Sequence, residues 1–350
     1  MAAADGVSSR TIAELTTFHL GRQAGRGITT EVLSLTVLGS GSGGNCSLVT
    51  TDECRILIDC GFSARQVSQR LQRVGVDPSS LDAVFITHEH GDHVTGLEVF
   101  SRRHKVPIYC NRLTAEALHE GEWARQAAWN IFETGSPVRI CDLEISSFYV
   151  PHDAVDPVAF VLCHPAGSIG FLTDLGYAPK LALQRLRKVD LLVIETNHDE
   201  QMLQADAKRP WSVKQRILSR HGHLSNVAAA KVVASLAGDR LQRVVLGHLS
   251  RDCNRPELAL AAMHAADLGC LNLYCASQEQ VSPTFEVQAI ASTPAPEEQV
   301  RPVYHHQEQS GEQQDFFTLL AESIQSEPPV TGCQDQRGVN VIKPDGCVDE

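Results

Sequence analysis

Between residues 32 and 287 the chain is a succession of short apolar runs, each stopped by glycine, proline or a charged residue. Runs at 32–38, 47–50, 55–58, 81–86, 106–110, 138–140, 143–150, 158–163, 168–173, 191–194 and 244–246 are rich in Val, Ile, Leu and Phe and predict strands. Helices are expected over 64–74 and 114–126, with a short helical start at 94–100 and a basic helical face within 208–220. The 138–140 and 143–150 runs read as one antiparallel pair. The 158–163 and 168–173 runs read as a hairpin around Pro165, Ala166 and Gly167. Strands that pair early and are then mixed with helices suit an α/β fold of two sheets packed face to face, with helices outside.

This rhythm is missing from both ends. Residues 1–31 have no sustained period and read as a flexible leader. Arg10, Arg22 and Arg26 among serines and threonines give it a faint mitochondrial character, which Asp5 and Glu14 interrupt. Residues 32–288 are expected to form the domain. From 289 to 350 the composition turns to Pro, Glu, Gln and Ser, which predicts a disordered acidic tail. Within it the apolar island from Phe316 to Ile324 suggests a short helix at 315–325. That helix docks on a protein partner or on its own core, or has no role.

Charge and cysteine usage narrow the class. The chain carries a net charge of −12, of which the tail contributes −8 from eleven acidic and three basic residues, while the leader balances. The remaining −4 would be cancelled by two divalent ions. It argues against a surface coated in basic residues for nucleic acid, but leaves room for a local anion-binding patch. Eleven scattered cysteines without a C-x-x-C pair read as reduced thiols, so an intracellular protein is expected, cytoplasmic or nuclear, with mitochondria as the remaining alternative. No apolar run approaches the ~18 residues of a membrane span.

The candidate chemistry begins directly behind the 81–86 strand, at T-H-E-H-G-D-H over 87–93. Three imidazoles and a carboxylate bunched at a strand exit point to metal. His88 and His90 share a side because strand side chains alternate, so both face one ion. Asp92 and His93 reach the other way as the chain turns, offering ligands to a second. Asp59, ending the 55–58 strand, either orients a metal-bound histidine through its other ring nitrogen or caps the helix at 64–74. The Gly/Ser run at 39–45 lets backbone approach a ligand or is simply a tight turn, and Asn45 at its end is grouped with the substrate-binding residues. Lys208, Arg209, Lys214, Arg216 and Arg220 stand without an acidic residue among them. With Trp211 available to stack on a base, they form a phosphate-binding strip or a merely solvated face.

The H-x-H-x-D-H pattern after a strand resembles the hallmark of the metallo-β-lactamase-fold hydrolases. G-S-G-S-G-G-N at 39–45, I-L-I-D-C-G at 56–61, G-H-L-S at 247–250 and N-R-P-E-L at 254–258 resemble the YycJ/WalJ group, which is associated with exonuclease activity on DNA. The similarity runs from about residue 33 to about 287. It implies the αβ/βα sandwich of that family, with two mixed sheets and no large inserted domain between Asp174 and His248. It also implies a ligand set: His88, His90 and His152 on one ion, Asp92, His93 and His248 on the other, and Asp174 bridging. His223 resembles the histidine that assists the leaving oxygen, paired with an acid like Glu195. An alternative in which His223 is the ligand and His248 stands outside remains open.

The mixed imidazole and carboxylate donors suit zinc, with manganese or iron(II) as alternatives. Redox members of the family carry a glutamate where this chain has His90, which favours hydrolysis. Two ions ~3.5–4 Å apart activate a shared water near neutral pH. The resulting expectation is a dinuclear phosphodiesterase, a nuclease acting on DNA ends, in which Asp92, His223 and Glu195 are catalytic and nucleic acid is the partner. A thioesterase of glyoxalase II type on the same centre is the alternative. A non-catalytic scaffold is disfavoured by the number of costly polar groups retained.

Overall fold

The computed structural model describes residues 31–287 apart from 120, 121, 239 and 270. The expected leader, acidic tail and 315–325 helix lie outside them. Fourteen strands follow in chain order: β1 Leu33–Gly39, β2 Cys46–Thr51, β3 Arg55–Ile58, β4 Ala83–Phe85, β5 Ile108–Asn111, β6 Trp129–Phe132, β7 Pro137–Ile140, β8 Leu143–Tyr149, β9 Val158–His164, β10 Gly167–Leu172, β11 Leu191–Glu195, β12 Arg243–Gly247, β13 Asn272–Cys275 and β14 Phe285–Val287. They form two seven-stranded sheets in the orders β14-β1-β2-β3-β4-β5-β6 and β13-β12-β11-β10-β9-β8-β7. Each sheet is part antiparallel and part parallel. In the first, β14, β1, β2 and β3 alternate in direction and β3 through β6 run parallel. In the second, β10 through β13 are parallel and β7 through β10 antiparallel.

Period-two alternation sorts the apolar residues into layers. Leu33, Leu35, Val37, Ile56 and Ile58 of the first sheet meet Leu191, Val193, Phe160 and Leu162 of the second in the central core. Leu57 and Val84 face the other way, onto helices Ala64–Arg73 and Leu97–His104. Leu192, Ile194, Val244 and Leu246 turn outward onto helices Lys180–Leu186, Asn226–Leu236 and Pro256–Ala265. The result is the four-layer αβ/βα arrangement expected from the sequence, with apolar surface on both faces of each sheet. Among the described residues no helix is long and apolar enough to cross a membrane.

The helix expected over 114–126 is instead two, Arg112–Leu118 and Glu122–Gln126. Asn111 starts the first earlier by accepting a hydrogen bond from the Thr114 amide, and Gly121 in the sequence weakens a continuous helix. The edge strands β6, β13 and β14 were not apparent in the apolar pattern, being three or four residues long. At the centre, the buried Phe160 ring meets Phe85 edge-on at 5.8 Å and Phe132 at 5.9 Å. A Phe160→Ala variant should therefore lose about 3–5 kcal/mol. This would be read as a lower urea midpoint at unchanged slope. A midpoint equal to that of the parent would contradict the packing.

Candidate metal centre

Because β3 and β4 are parallel, and β8 runs parallel to β10, β11 and β12 through the antiparallel β9, the C-terminal ends of these strands gather along one edge of the sandwich. Asp59 follows β3, the 87–93 loop follows β4, His152 follows β8, Asp174 follows β10, Glu195 ends β11 and His248 follows β12. Three of these residues, Asp59, Asp174 and His248, adopt positive φ angles of 62°, 58° and 54°. Such backbone is sparsely populated by non-glycine residues and is held only where surrounding bonds fix it.

The seven residues expected to be ligands converge. His152 Nε2 lies 3.3 Å from His90 Nδ1, and the donor atoms of His88, His90 and His152 all lie within 4.8 Å of one another. On the other side His248 Nε2 lies 3.1 Å from Asp92 Oδ2, and Asp92, His93 and His248 form a second such group. Asp174 stands between them. Its Oδ2 is 3.2 Å from His93 Nε2, while its Oδ1 is 3.3 Å from His248 Nε2 and 3.8 Å from His152 Nε2. His88 Nε2 and Asp174 Oδ2 are buried and make no hydrogen bond to the protein.

His88, His93, His152 and His248 are aimed by their other ring nitrogens, that of His88 lying 3.0 Å from Thr87 Oγ1. His93 Nδ1 is 2.8 Å from Asp59 Oδ2, and Asp59 Oδ1 also accepts from the Thr87 amide at 2.9 Å. Helix Ala64–Arg73 is capped by Ser63, so Asp59 is not its cap. His152 Nδ1 is 3.1 Å from the Gly222 carbonyl. His248 Nδ1 is 3.0 Å from Glu195 Oε1, which also lies 2.6 Å from His223 Nδ1. Glu195 Oε2 accepts from the amides of Leu175 and Leu224. Burial pushes the Glu195 carboxyl up, but the two histidines outweigh it and bring it down to about 2. Burial likewise presses His223 down, yet Glu195 wins and raises it above its ordinary value. His88 and His152 are driven the other way by burial, toward the neutral imidazole a ligand requires.

Several supporting residues were not singled out in the sequence. Ser40 Oγ accepts from the His248 amide and donates to Asn45 Oδ1, and Asn197 Nδ2 donates to the His248 carbonyl. Asn45, expected to bind substrate, is buried and clamps the 39–45 loop through Gly41 beside His93. Gly61 permits this closure, since a Cβ there would lie 1.7 Å from the Asp92 carbonyl oxygen.

The basic strip is divided rather than continuous. Arg209 and Arg216 line the cleft over the histidines. Arg209 also pairs with Asp206 and Asp252, and Arg216 with Asp153. Lys208 is exposed and paired with Asp252, Arg220 stacks over Tyr177, and Trp211 is 61% exposed. Lys214 corrects the expectation. It is buried and donates to the Gln204 carbonyl at 2.8 Å, because helix Trp211–Ile217 turns it inward.

Fold and site together define a metallohydrolase of the αβ/βα sandwich class. The chain belongs to the beta-lactamase superfamily, whose domain description matches residues 54–249. It is 34% identical over 261 residues to the exodeoxyribonuclease WalJ of Streptococcus pneumoniae serotype 2, covering 72% of this chain and 97% of that protein. The exodeoxyribonuclease YycJ of Bacillus anthracis is 34% identical over 229 residues, covering 65% and 86%. Among solved structures, the metallo-beta-lactamase fold protein YhfI of Bacillus subtilis superposes with a TM-score of 0.56 at 17% identity, covering 73% of this chain and 99% of that one.

The superfamily implies divalent metal ions, and the residues present fit them. The unpartnered buried donors of His88 and Asp174, the imidazoles of His88 and His152 that burial drives toward the neutral form, and a central carboxylate beside His93 and His248 suit cations. Replacing Asp59 with Ala should weaken cation binding by about 10–100-fold by freeing His93. Metal titration followed by elemental analysis checks this, and undiminished affinity would remove Asp59 from its supporting role.

Proposed function

We propose that the chain is a metal-dependent phosphodiesterase that degrades DNA from its ends. The observation that carries this reading is the convergence, in one cleft, of the seven donors with the His223–Glu195 pair and two arginines. The names of the WalJ and YycJ relatives, exodeoxyribonucleases both, supply the substrate. His88, His90 and His152 would hold one cation and Asp92, His93 and His248 the other, with Asp174 serving both. Zinc fits this donor set best, with manganese or iron(II) as alternatives. Bound there, the cations supply Lewis acidity, an activated water at neutral pH and compensation of charge on the phosphoryl oxygens.

The protein's own groups then divide the remaining work. His223 Nδ1 is committed to Glu195, leaving Nε2 to hand its proton to the departing sugar oxygen. Glu195 stays ionised, keeps His223 protonated and fixes the ring. Arg216, whose Nε is engaged by Asp153, has its terminal nitrogens left to bind a phosphate of the strand, and Arg209 adds charge at the same wall. Exposed Trp211, at the start of the same helix as Arg216, offers a face for a base. Lys208 and Arg220 extend this positive edge, while Lys214 and Asn45 do not contribute to it.

End-labelled DNA incubated with the protein and added zinc or manganese should be shortened progressively, with Asp92→Ala inactive. Absence of cleavage by the native protein would remove the proposal, and cleavage of RNA in preference to DNA would redirect it. Replacing His223 with Gln should lower kcat by about 10²–10⁴-fold. The pH profile has a definite sign. Protonated His223 is present below its raised pKa and lost above it, so the rate falls on the alkaline limb. Glu195→Gln removes the stabilising carboxylate and should move that limb to lower pH. A limb that stays put would exclude His223 as the acid.

A further inference from the structure

The opposite end of the sandwich carries a second group of metal-ligating side chains. Cys54 lies in the turn between β2 and β3, Asp82 immediately before β4, and Cys141 in the turn between β7 and β8. β3, β4 and β8 all run from these residues toward the histidine centre, so the three belong to the edge remote from it. The two Sγ atoms and a carboxylate oxygen all lie within 4.8 Å of one another. Cys54 and Asp82 come from the first sheet and Cys141 from the second.

Local structure holds this group in place. Cys54 is buried, with its amide donating to Thr51 Oγ1 and its carbonyl accepting from the Thr51 amide. Asp82 Oδ2 accepts from the Arg55 amide at 2.8 Å. Asp142, next to Cys141, accepts from Thr51 Oγ1 at 2.6 Å and pairs with His164 at 3.1 Å, so one hairpin is tied to the other. Cys141 itself has φ of 51°. A tight hairpin turn with left-handed backbone calls for glycine, asparagine or aspartate, and a cysteine there goes against local preference. Of the six non-glycine residues with positive φ among those described, three are Asp59, Asp174 and His248 of the histidine centre, and Lys105 and Asp267 closely follow helices. Cys141 is the one left over.

We propose that Cys54, Asp82 and Cys141 form a third cation site, one that takes a thiol-preferring divalent ion such as zinc and clamps the two sheets together at the end away from catalysis. Zinc binds thiolate sulfur at ~2.3 Å and carboxylate oxygen at ~2.0–2.2 Å. Donor atoms already this close reach those distances by small rotations, which the exposed Cys141 and Asp82 can make. The fourth position opens to water on the exposed side. Burial raises both thiols above their ordinary value, so they meet the ion protonated. Binding as thiolates releases two protons to solvent, and with the Asp82 carboxylate the filled site carries a single negative charge at its exposed side.

Cadmium titration of the reduced, full-length protein reads this site separately, because only thiolate ligands give a ligand-to-metal charge-transfer band in the ultraviolet and the histidine centre has none. One equivalent of band-forming cadmium per chain is expected. Cys141→Ser should abolish the band, and Asp82→Ala should weaken binding at least tenfold. Asp92→Ala, in the histidine centre, should leave it intact. A band that persists in Cys141→Ser, or no band in the parent, would overturn the site. So would a thiol count on the unreduced protein showing Cys54 and Cys141 joined as a disulfide.

Discussion

Everything at the active edge follows from the cost of burying ionisable groups. Asp59, Asp174 and Glu195 are almost wholly removed from water, as are His88, His93, His152 and His248. Each would be expensive alone. The fold answers by giving each imidazole a partner at the nitrogen that points away from the centre: Thr87 for His88, Asp59 for His93, Gly222 for His152 and Glu195 for His248. The opposite nitrogens are thereby turned inward and left facing one another around Asp174. Filling this array with cations offsets the cost of burying it, which couples metal binding to folding.

The sheets explain why this is achievable. Strands carrying apolar residues on both faces are rigid, and parallel neighbours present their C-terminal ends at one edge. The 87–93 loop after β4 and single residues at the ends of β3, β8, β10, β11 and β12 can therefore meet without a long loop. The three left-handed residues at these strand ends redirect the chain within one residue, and at Asp59 and His248 the strain is offset by hydrogen bonds that fix them.

Much of this could be read from the residues, and the limits have physical causes. The 87–93 loop is legible because its donors lie adjacent in sequence, and the inner strands because burial on both faces gives continuous apolar runs. His152, Asp174 and His248 are lone polar residues after strands, indistinguishable by themselves from ordinary strand ends, and only the resemblance to a hydrolase family marked them. The phase of the helix Trp211–Ile217 is set by what it packs against, so the inward turn of Lys214 could not be seen in a count of basic residues. Asn45 was misjudged for a similar reason, since a buried amide that closes a loop and one that faces a ligand look the same in sequence. The proximity of Cys54 and Cys141 depends on two hairpins from different sheets meeting, which no local pattern encodes.

Seven side chains from four strand ends, those of β4, β8, β10 and β12, are placed to hold two cations side by side. Anomalous diffraction at the zinc absorption edge, from crystals grown with zinc, tests this central claim most directly. The account predicts two strong peaks about 3.5–4 Å apart, with Asp174 between them and the imidazoles of His88, His90, His152, His93 and His248 around them. A single peak, or peaks displaced from Asp174, would contradict it.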